Sequence, residues 1–402
     1  MRNLQQPKAF VLGLFETGLA VARALGRKGI DVQGYDFKKD IGFYSKYVEP
    51  KICPHPLLEG NKCFEFLAHE AQRLAHKPVL YITSDEFIPP IISNYEILGN
   101  HFLVRIPPVN VLRAVANKYK QYQLAMGASV SVPATVVIKN REELANNTIP
   151  DSSFPVFVKG IDSNAWRKRF GGSQKGFTFR TRQELLDKVG SILDSGVGAI
   201  AQELIAGPDT NHYKFCGYVD KTGELVAGFC LRKIRQNPIH FGVGSAVESI
   251  DNEELFELGK RFFLKIGYRG IGSAEFKFDE KDRKYKLIEL NPRYWQQNIL
   301  PEACGINFPL IQYLDLTSGL KDTYFRYKSG VKWVNIYSDF DSFLAYKREG
   351  SLTFMSWIRS LKGPKVFSDW AWDDPIPGLY EIRFGRRLIK IPRYLIRRLG
   401  RK

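Results

Sequence analysis

Glu289 and Asn291 stand two residues apart in the stretch KLIELNPR, and Glu275 stands in SAEFKFD shortly before it. Residues at i and i+2 of a strand share one face. If the two stretches pair as a hairpin, two carboxylates and an amide carbonyl converge as hard oxygen ligands. Magnesium takes such a set while it also holds nucleotide phosphates. Arg293 continues the same face and adds a fork of donors for phosphate or a developing anion. A solvated hairpin of alternating charge accounts for Glu275 and Lys277. It accounts poorly for Glu289 and Asn291, which Ile288 and Leu290 bracket in an apolar strand. Lys159 closes the apolar run FPVFV, and a lysine ending a buried strand is costly unless it meets an anion. The glycine-rich turn Gly171-Gly172-Ser173-Gln174-Lys175-Gly176 follows, with backbone amides that can cover phosphates. Downstream, AQELIAGPD runs a strand into a turn. Such a segment can offer backbone groups to an adenine and a carboxylate to a ribose.

The elements that must position these residues alternate strand and helix. The opening FVLGLFETGLAVARALGRKG predicts a strand at Ala9–Leu12, a turn at Gly13–Gly18 and an apolar helix; a second strand, Ile30–Tyr35, ends at Asp36, which can reach a ribose. A Walker loop is excluded, because Leu19 and Ala20 stand where Lys and Ser/Thr are needed; a dinucleotide fingerprint is excluded because Leu14 breaks its glycine spacing. A Rossmann-like layer without a dinucleotide is the expectation. Strand Pro78–Ile82 ends in Thr83-Ser84-Asp85-Glu86, and the two acids are candidates for either ligand contact or a helix start. Pro107–Pro108 marks a boundary. A helix over Val109–Met126 and strands at Ser131–Ile138 and Phe154–Lys159 come next. Thr181 and Glu184 form a capping box ahead of a helix to Leu193. Strands at Ala199–Leu204, Tyr213–Val219, Glu224–Leu231, Ile271–Asp279 and Lys284–Leu290 complete the core, with helices at Glu253–Ile266 and Pro309–Thr317. Leu231–Gln236 is read as a basic linker. From Lys321 onward aromatic and basic residues dominate, an accessory segment.

The chain of 402 residues is 44% hydrophobic, enough for two or three packed cores. Its five cysteines are scattered without a C-x-x-C pair, the pattern of reduced thiols in a cytosolic protein. No apolar run is long enough to span a membrane, and the N-terminus lacks the apolar core of a signal peptide. The net charge of +17 is uneven. RFGRRLIKIPRYLIRRLGRK, from Arg383, carries nine Lys and Arg and no acid, interleaved with apolar residues. That pattern suits either an anionic membrane surface or a solvated tail. No helix-turn-helix, RNP or zinc pattern supports nucleic acid.

FPVFVKG, GGSQKG, AQELIAGPD, SAEFKFD and IELNPR, in this order, resemble the ATP-grasp superfamily over roughly residues 1–320. The resemblance implies an α/β and α+β chain. A Rossmann-like pre-ATP-grasp domain (1–106) would precede an N-lobe (107–205), a C-lobe (206–320) and an aromatic, basic extension (321–402). It implies ATP and two Mg2+ ions, with Mn2+ as a substitute. Lys118 and Lys159 would hold the α- and β-phosphates under a mobile loop that includes Gly171, Gly172 and Ser173. Gln202, Glu203 and Ile205 would border the adenine, and Asp209 the ribose. Glu275, Glu289 and Asn291 would bind the metal, and Arg293 would steady the transferring phosphoryl. Gly13–Gly18 would then be a substrate-side wall. Arg235, or else Lys233, would stabilise an acyl phosphate. Such enzymes activate a carboxylate by phosphoryl transfer for attack by an amine. Ser273 stands where D-alanine–D-alanine ligases carry arginine, which points toward other carboxylate–amine ligases, of the D-aspartate ligase or carbamoyl-phosphate-synthase-like type. The expected setting is cytoplasmic, with the tail at the inner face of a membrane and a small-molecule or polymer-precursor carboxylate as substrate. The alternatives are a non-catalytic ATP-binding scaffold, which would lack a metal ligand, and an NAD-dependent oxidoreductase, which would need the missing glycine fingerprint.

Overall fold

The computed structural model describes residues 6–146, 149, 154–171, 176–194, 196–320 and 322–384. Their strands, in chain order, are β1 (Ala9–Leu12), β2 (Val32–Asp36), β3 (Glu49–Ile52), β4 (Val79–Ile82), β5 (Thr135–Ile138), β6 (Val156–Gly160), β7 (Phe177–Phe179), β8 (Ala199–Glu203), β9 (His212–Val219), β10 (Leu225–Asn237), β11 (Val243–Ser249), β12 (Gly270–Asp279), β13 (Lys284–Asn291), β14 (Lys332–Val334) and β15 (Lys365–Phe367). The chain forms two units. The first takes residues up to Arg105, Ser245–Ser249 and those from Arg293 on; the second takes Ile106–Gly244 and Ile250–Pro292.

In the first unit, apolar runs buried on both faces make a parallel sheet of order β3-β2-β1-β4. The expected glycine turn follows β1. Gly13 has φ +96°, and a Cβ on Gly18 would stand 1.9 Å from the Gly13 carbonyl oxygen, so the helix Glu16–Gly26 can start this close only from a residue without a side chain. The Asp36 carboxylate accepts from the backbone N–H of Leu14 at 2.7 Å and of Phe37 at 2.8 Å. Burial pushes its carboxyl up to about 6, against the pull of those two donors. Asp36 thus ties the turn to the end of β2 through one oxygen, while the other accepts from its own neighbour.

The described part of the segment beyond Lys321 belongs to this same unit. β14 pairs antiparallel with β11 and parallel with β15. The Asp373-Asp374 turn closes on the first helix. Arg23 and Asp374, 0% and 1% exposed, meet at 2.9 Å. Arg23 also donates to the Asp369 and Asp374 carbonyls, and Asp374 accepts from Ser45 Oγ and the Lys46 N–H. On the rim, Arg27 forks onto Asp373 with both contacts at 2.9 Å.

The second unit holds two antiparallel sheets, of orders β5-β8-β6-β7 and β13-β12-β9-β10. One face of the larger sheet is core: Phe215, Cys230, Ala274, Phe276, Leu287 and Leu290 pack with Leu255, Phe262 and Phe263 of the helix Glu253–Lys265. The smaller sheet buries Val156, Val158, Ala199 and Ala201 against the helix Arg182–Leu193. Thr181 caps that helix as expected, accepting from the Glu184 N–H, while Glu184 reaches back one residue further, to the Arg180 N–H.

Three expectations change. The helix over Val109–Met126 is two helices, Val109–Val115 and Lys118–Gly127, because Asn117 caps the second by accepting from the Lys120 N–H. The strand from Ser131 begins only at Thr135, since Pro133 has no N–H to give a ladder. Leu231–Gln236 is no linker: β10 runs through it to Asn237.

Because Arg23 is buried, Asp374→Ala leaves an uncompensated guanidinium and costs about 3–5 kcal/mol, read as a lowered urea midpoint. Arg23→Met with Asp374→Leu restores most of that loss. A single variant as stable as the parent would show that the pair holds nothing together.

Candidate active site

β12 and β13 pair in a register that sets Glu275 opposite Glu289 and Ser273 opposite Asn291. Beyond Glu275 the register slips. Phe276 faces Leu287, so Ile288 is the extra residue of a bulge. The bulge turns the Ile288 carbonyl to the Tyr122 hydroxyl, which donates to it at 2.9 Å. It also returns Lys277 and Lys286, the next facing pair, to the side of Glu275 and Glu289. On the next strand Lys214 stands opposite Glu275, and β9 pairs on with β10 so that Lys233 and Arg235 lie on the same side. One face of the sheet is therefore apolar core. The other carries two carboxylates, an asparagine and a row of cations.

The contacts across that polar face are short. Lys214 Nζ lies 2.9 Å and Lys233 Nζ 3.5 Å from the Glu275 carboxylate, and Lys118 Nζ lies 2.6 Å from Glu289. Burial pushes the Glu275 carboxyl up, but Lys214 and Lys233 outweigh it and hold the group well below the usual carboxylate range. Lys286 bridges Glu203 and Asp279, each at 2.6 Å. Burial, then Lys233 and Lys277, drive the His212 imidazolium down to about 3, so His212 is neutral at physiological pH.

Lys159 sits on the outward face of the smaller sheet with Phe157, and β8 sets Gln202 opposite Phe157. Buried Lys159 meets an oxygen, donating to Tyr122 Oη at 3.0 Å. Tyr122 thus joins both sheets, and although burial raises its phenol, Lys159 and Lys118 pull it lower than ordinary. The lysine that begins its helix, Lys118, is held by Asn117 at the cap and by Glu289 at its tip.

The structure gathers Lys118, Lys159, Gln202, Glu275, Glu289, Asn291 and Arg235 onto these two sheet faces; Arg235 is buried on the face of β10. Ile205 is buried just past β8, where Glu203 spends its carboxylate on Lys286. Asp209 lies in a turn after it and accepts from the His240 N–H at 2.8 Å, with His240 Nδ1 at 3.1 Å. Gly171 has φ +83°, and a Cβ on Gly176 would come 2.4 Å from the Val158 carbonyl oxygen. Gly172 and Ser173, between them, lie outside the described residues. Arg293 belongs to the first unit, where it forks onto Asp85 at 2.5 and 2.7 Å and donates to the Tyr294 carbonyl. Asp85, one of two readings at the end of β4, is thus the partner of an arginine, and Ser84 is the cap of the short turn after it. Also in this unit, Glu16 is fully buried after the Gly13 turn and accepts from Gln296 and Asn335. Sequence reading missed Lys214 and Tyr122. Lys214 carries a signal, a charge inside the buried stretch YKFCGYV, but only the cross-strand register shows that it faces Glu275.

The donor set fits a divalent metal with nucleotide phosphates. Two carboxylates and an amide oxygen are hard ligands, and ammonium groups already lie against both carboxylates. Among the described residues no group of three or more His, Cys, Asp and Glu gathers as a metal site. Glu275 is ionised through its lysines and contributes stability above its ordinary value, lost as the pH falls toward its depressed folded value. Glu275→Gln consequently loses less stability than the parent between about pH 5 and pH 3. Urea denaturation along that range checks it, and equal slopes would show that the carboxylate is not paired.

No family model matches the chain. Over 276 residues it is 27% identical to D-aspartate ligase from Enterococcus faecium (strain Aus0004), a match over 66% of this chain and 65% of that protein, so the chain spans just under two thirds of its curated relative. An L-amino acid ligase from Bacillus licheniformis superposes with a TM-score of 0.60 at 16% identity, over 80% of this chain and 76% of that one. The biotin carboxylase domain of Hydrogenobacter thermophilus 2-oxoglutarate carboxylase, in complex with MgADP, ADP and bicarbonate, superposes with a TM-score of 0.62 at 17% identity, over 80% and 72%. The chain shares the fold of these two solved structures, with a parallel α/β layer at its start and two antiparallel sheets after it.

Proposed function

We propose that the chain is an ATP- and Mg-dependent ligase that activates a carboxylate as an acyl phosphate for attack by an amine. The observation that carries this reading is the polar sheet face, where Glu275 and Glu289 stand opposite one another among Lys118, Lys214 and Lys233. A polyanion with its metal ions satisfies both sets of charges at once. The name of the relative from Enterococcus faecium and that of the ligase from Bacillus licheniformis both put an amino acid in the substrate position. An amino-acid carboxylate, free or in a polymer precursor, is the class we favour.

Two magnesium ions at Glu275, Glu289 and Asn291 would neutralise phosphate charge when bound. Lys118 and Lys159 supply cations for the α- and β-phosphates, with the loop of Gly171, Gly172 and Ser173 as the phosphate cover. Gln202, Glu203 and Ile205 border the adenine, and Asp209 takes the ribose on exchanging its His240 contact. A substrate carboxylate oxygen attacks the γ-phosphorus, the bond to the ADP oxygen breaks, and ADP leaves. The amine then attacks the acyl carbon, an amide forms, and phosphate and a proton depart. Arg235 and Lys233, fixed on one strand face, stabilise the acyl phosphate. Arg293 steadies the transferring group, with Asp85 holding its fork. The same reading places the protein in the cytoplasm, with its basic tail against the inner face of a membrane. The tail from 385 on lies outside the described residues.

ADP release with Mg-ATP is measured against amino-acid and dicarboxylic acid substrates, each with and without amines. Turnover requires one acid–amine pair, and Glu289→Ala lowers it by at least about a hundredfold, the scale of losing one preorganised electrostatic group. Mg-ATP binding without turnover on any pair, polymer precursors included, would replace the ligase with a nucleotide-binding scaffold. No Mg-ATP binding would end the assignment.

A further inference from the structure

The helices Ile336–Arg348 and Phe354–Ser360 of the first unit share an aromatic cluster that is buried on one side only. Phe343 is buried and stacks on Trp357 at 4.7 Å, and Trp357 Nε1 donates to buried Asp339 at 2.8 Å, which fixes the shorter helix. Phe340 and Phe354 extend the cluster outward, each about 6 Å from Trp357. They are 45% and 52% exposed, and on the same outer surface of the shorter helix Met355 is 58% and Ile358 39% exposed. Ile358 stands three and four residues after Met355 and Phe354 on one helix, and Phe340 of the longer helix joins them through Trp357, beyond the scatter of single exposed residues found on any surface.

The rim is basic. Lys347, Arg348, Arg359 and Lys362 are exposed, against the two exposed acids Asp341 and Glu349, and Lys347 Nζ lies 5.8 Å from the centroid of the Phe343 ring. The chain then ends in the basic tail, with nine Lys and Arg and no acid from Arg383 onward. We propose that this outer face docks on an anionic lipid surface, with Phe354, Met355 and Ile358 entering the headgroup region and the basic rim meeting the lipid charge. A lipid surface asks for apolar side chains and cations together, without the matched hydrogen bonds a protein partner needs. A second copy of this chain meeting at the same face would bring two basic rims and two basic tails together at a cost. Among the described residues no helix is long and apolar enough to cross a membrane, so the contact is peripheral. The inference stands apart from the ligase reading, since it uses no residue of the polar sheet face.

The full chain is sedimented with vesicles of phosphatidylcholine alone and of phosphatidylcholine with phosphatidylglycerol. Beside it run Met355→Ser with Ile358→Ser and a chain ending at residue 384. Both substituted positions are exposed, so the double variant keeps the parent's urea midpoint. The parent binds the anionic vesicles and releases at high salt; the double variant partitions about tenfold or more weaker, the loss of two inserted apolar side chains. A fluorophore placed by Met355→Cys shifts to the blue with anionic vesicles only. Absence of parent binding overturns the proposal. So does a double variant that binds like the parent while the shortened chain does not, since the tail alone then docks. A concentration-dependent dimer that the double variant abolishes, without lipid binding, overturns it in favour of self-association.

Discussion

The facing of Glu275 and Glu289 across one antiparallel pair is the constraint on which the second unit depends. Like charges directly opposite on a sheet destabilise it unless something of the other sign answers them. Here the answer comes from three elements: Lys214 on β9, Lys233 on β10 and Lys118 at the start of a helix. Each ammonium is held where it is by a carboxylate, and Lys214 and Lys233 keep Glu275 ionised. Removing either side would leave buried charge of one sign. The arrangement also explains why β10 runs on to Asn237 where the sequence reads as a linker. The strand must continue for Lys233 and Arg235 to reach the face that Lys214 begins.

A second device links the two sheets. The bulge at Ile288 releases a carbonyl from the ladder, Tyr122 donates to it, and Lys159 donates to Tyr122 in turn. A lysine on one sheet is thus set by a one-residue irregularity on another. The phenol lies near two ammoniums, which lower its own proton affinity and make its hydroxyl a better donor to the Ile288 carbonyl. Tyr122 carries no charge to the ligand. Its work is to hold Lys159 against the strand that carries Glu289.

Much of this was legible in the residues. The i and i+2 spacing in IELN, the apolar run ending in Lys159 and the failed dinucleotide code at Gly13 each named their surroundings, and β1, β2, β4, β6, β8, β9, β12 and β13 fell within a few residues of expectation. The unread part has one physical character: it is cross-strand register and long-range pairing. Lys214 faces Glu275 because two strands 61 positions apart align, and no local pattern encodes that. Asn117 split a helix because a capping side chain outweighs a run of helix formers that continues through it. Arg23, buried in the first helix, finds its partner in a turn 351 residues away. Strand β11 hides because only Val243, Ala246 and Val247 of its seven residues are apolar.

The first unit follows a different logic with the same economy of charge. Asp36 ties the Gly13 turn to its strand, Asp374 ties the last turn to the first helix, and Asp85 ties Arg293 to the end of β4. Each carboxylate clamps a distant segment, Asp374 and Asp85 through two or more donors and Asp36 through one, so each is positioned by geometry more than by propensity. Three acids, each closing one loop of the chain, make the start and the described end of the chain one packed body. That is why an aromatic segment which reads from sequence as an appendage is built into the same unit as the opening strands. It also leaves that unit's outer helices free of structural duty on their exposed side, where Phe340, Phe354, Met355 and Ile358 face outward without a core to fill.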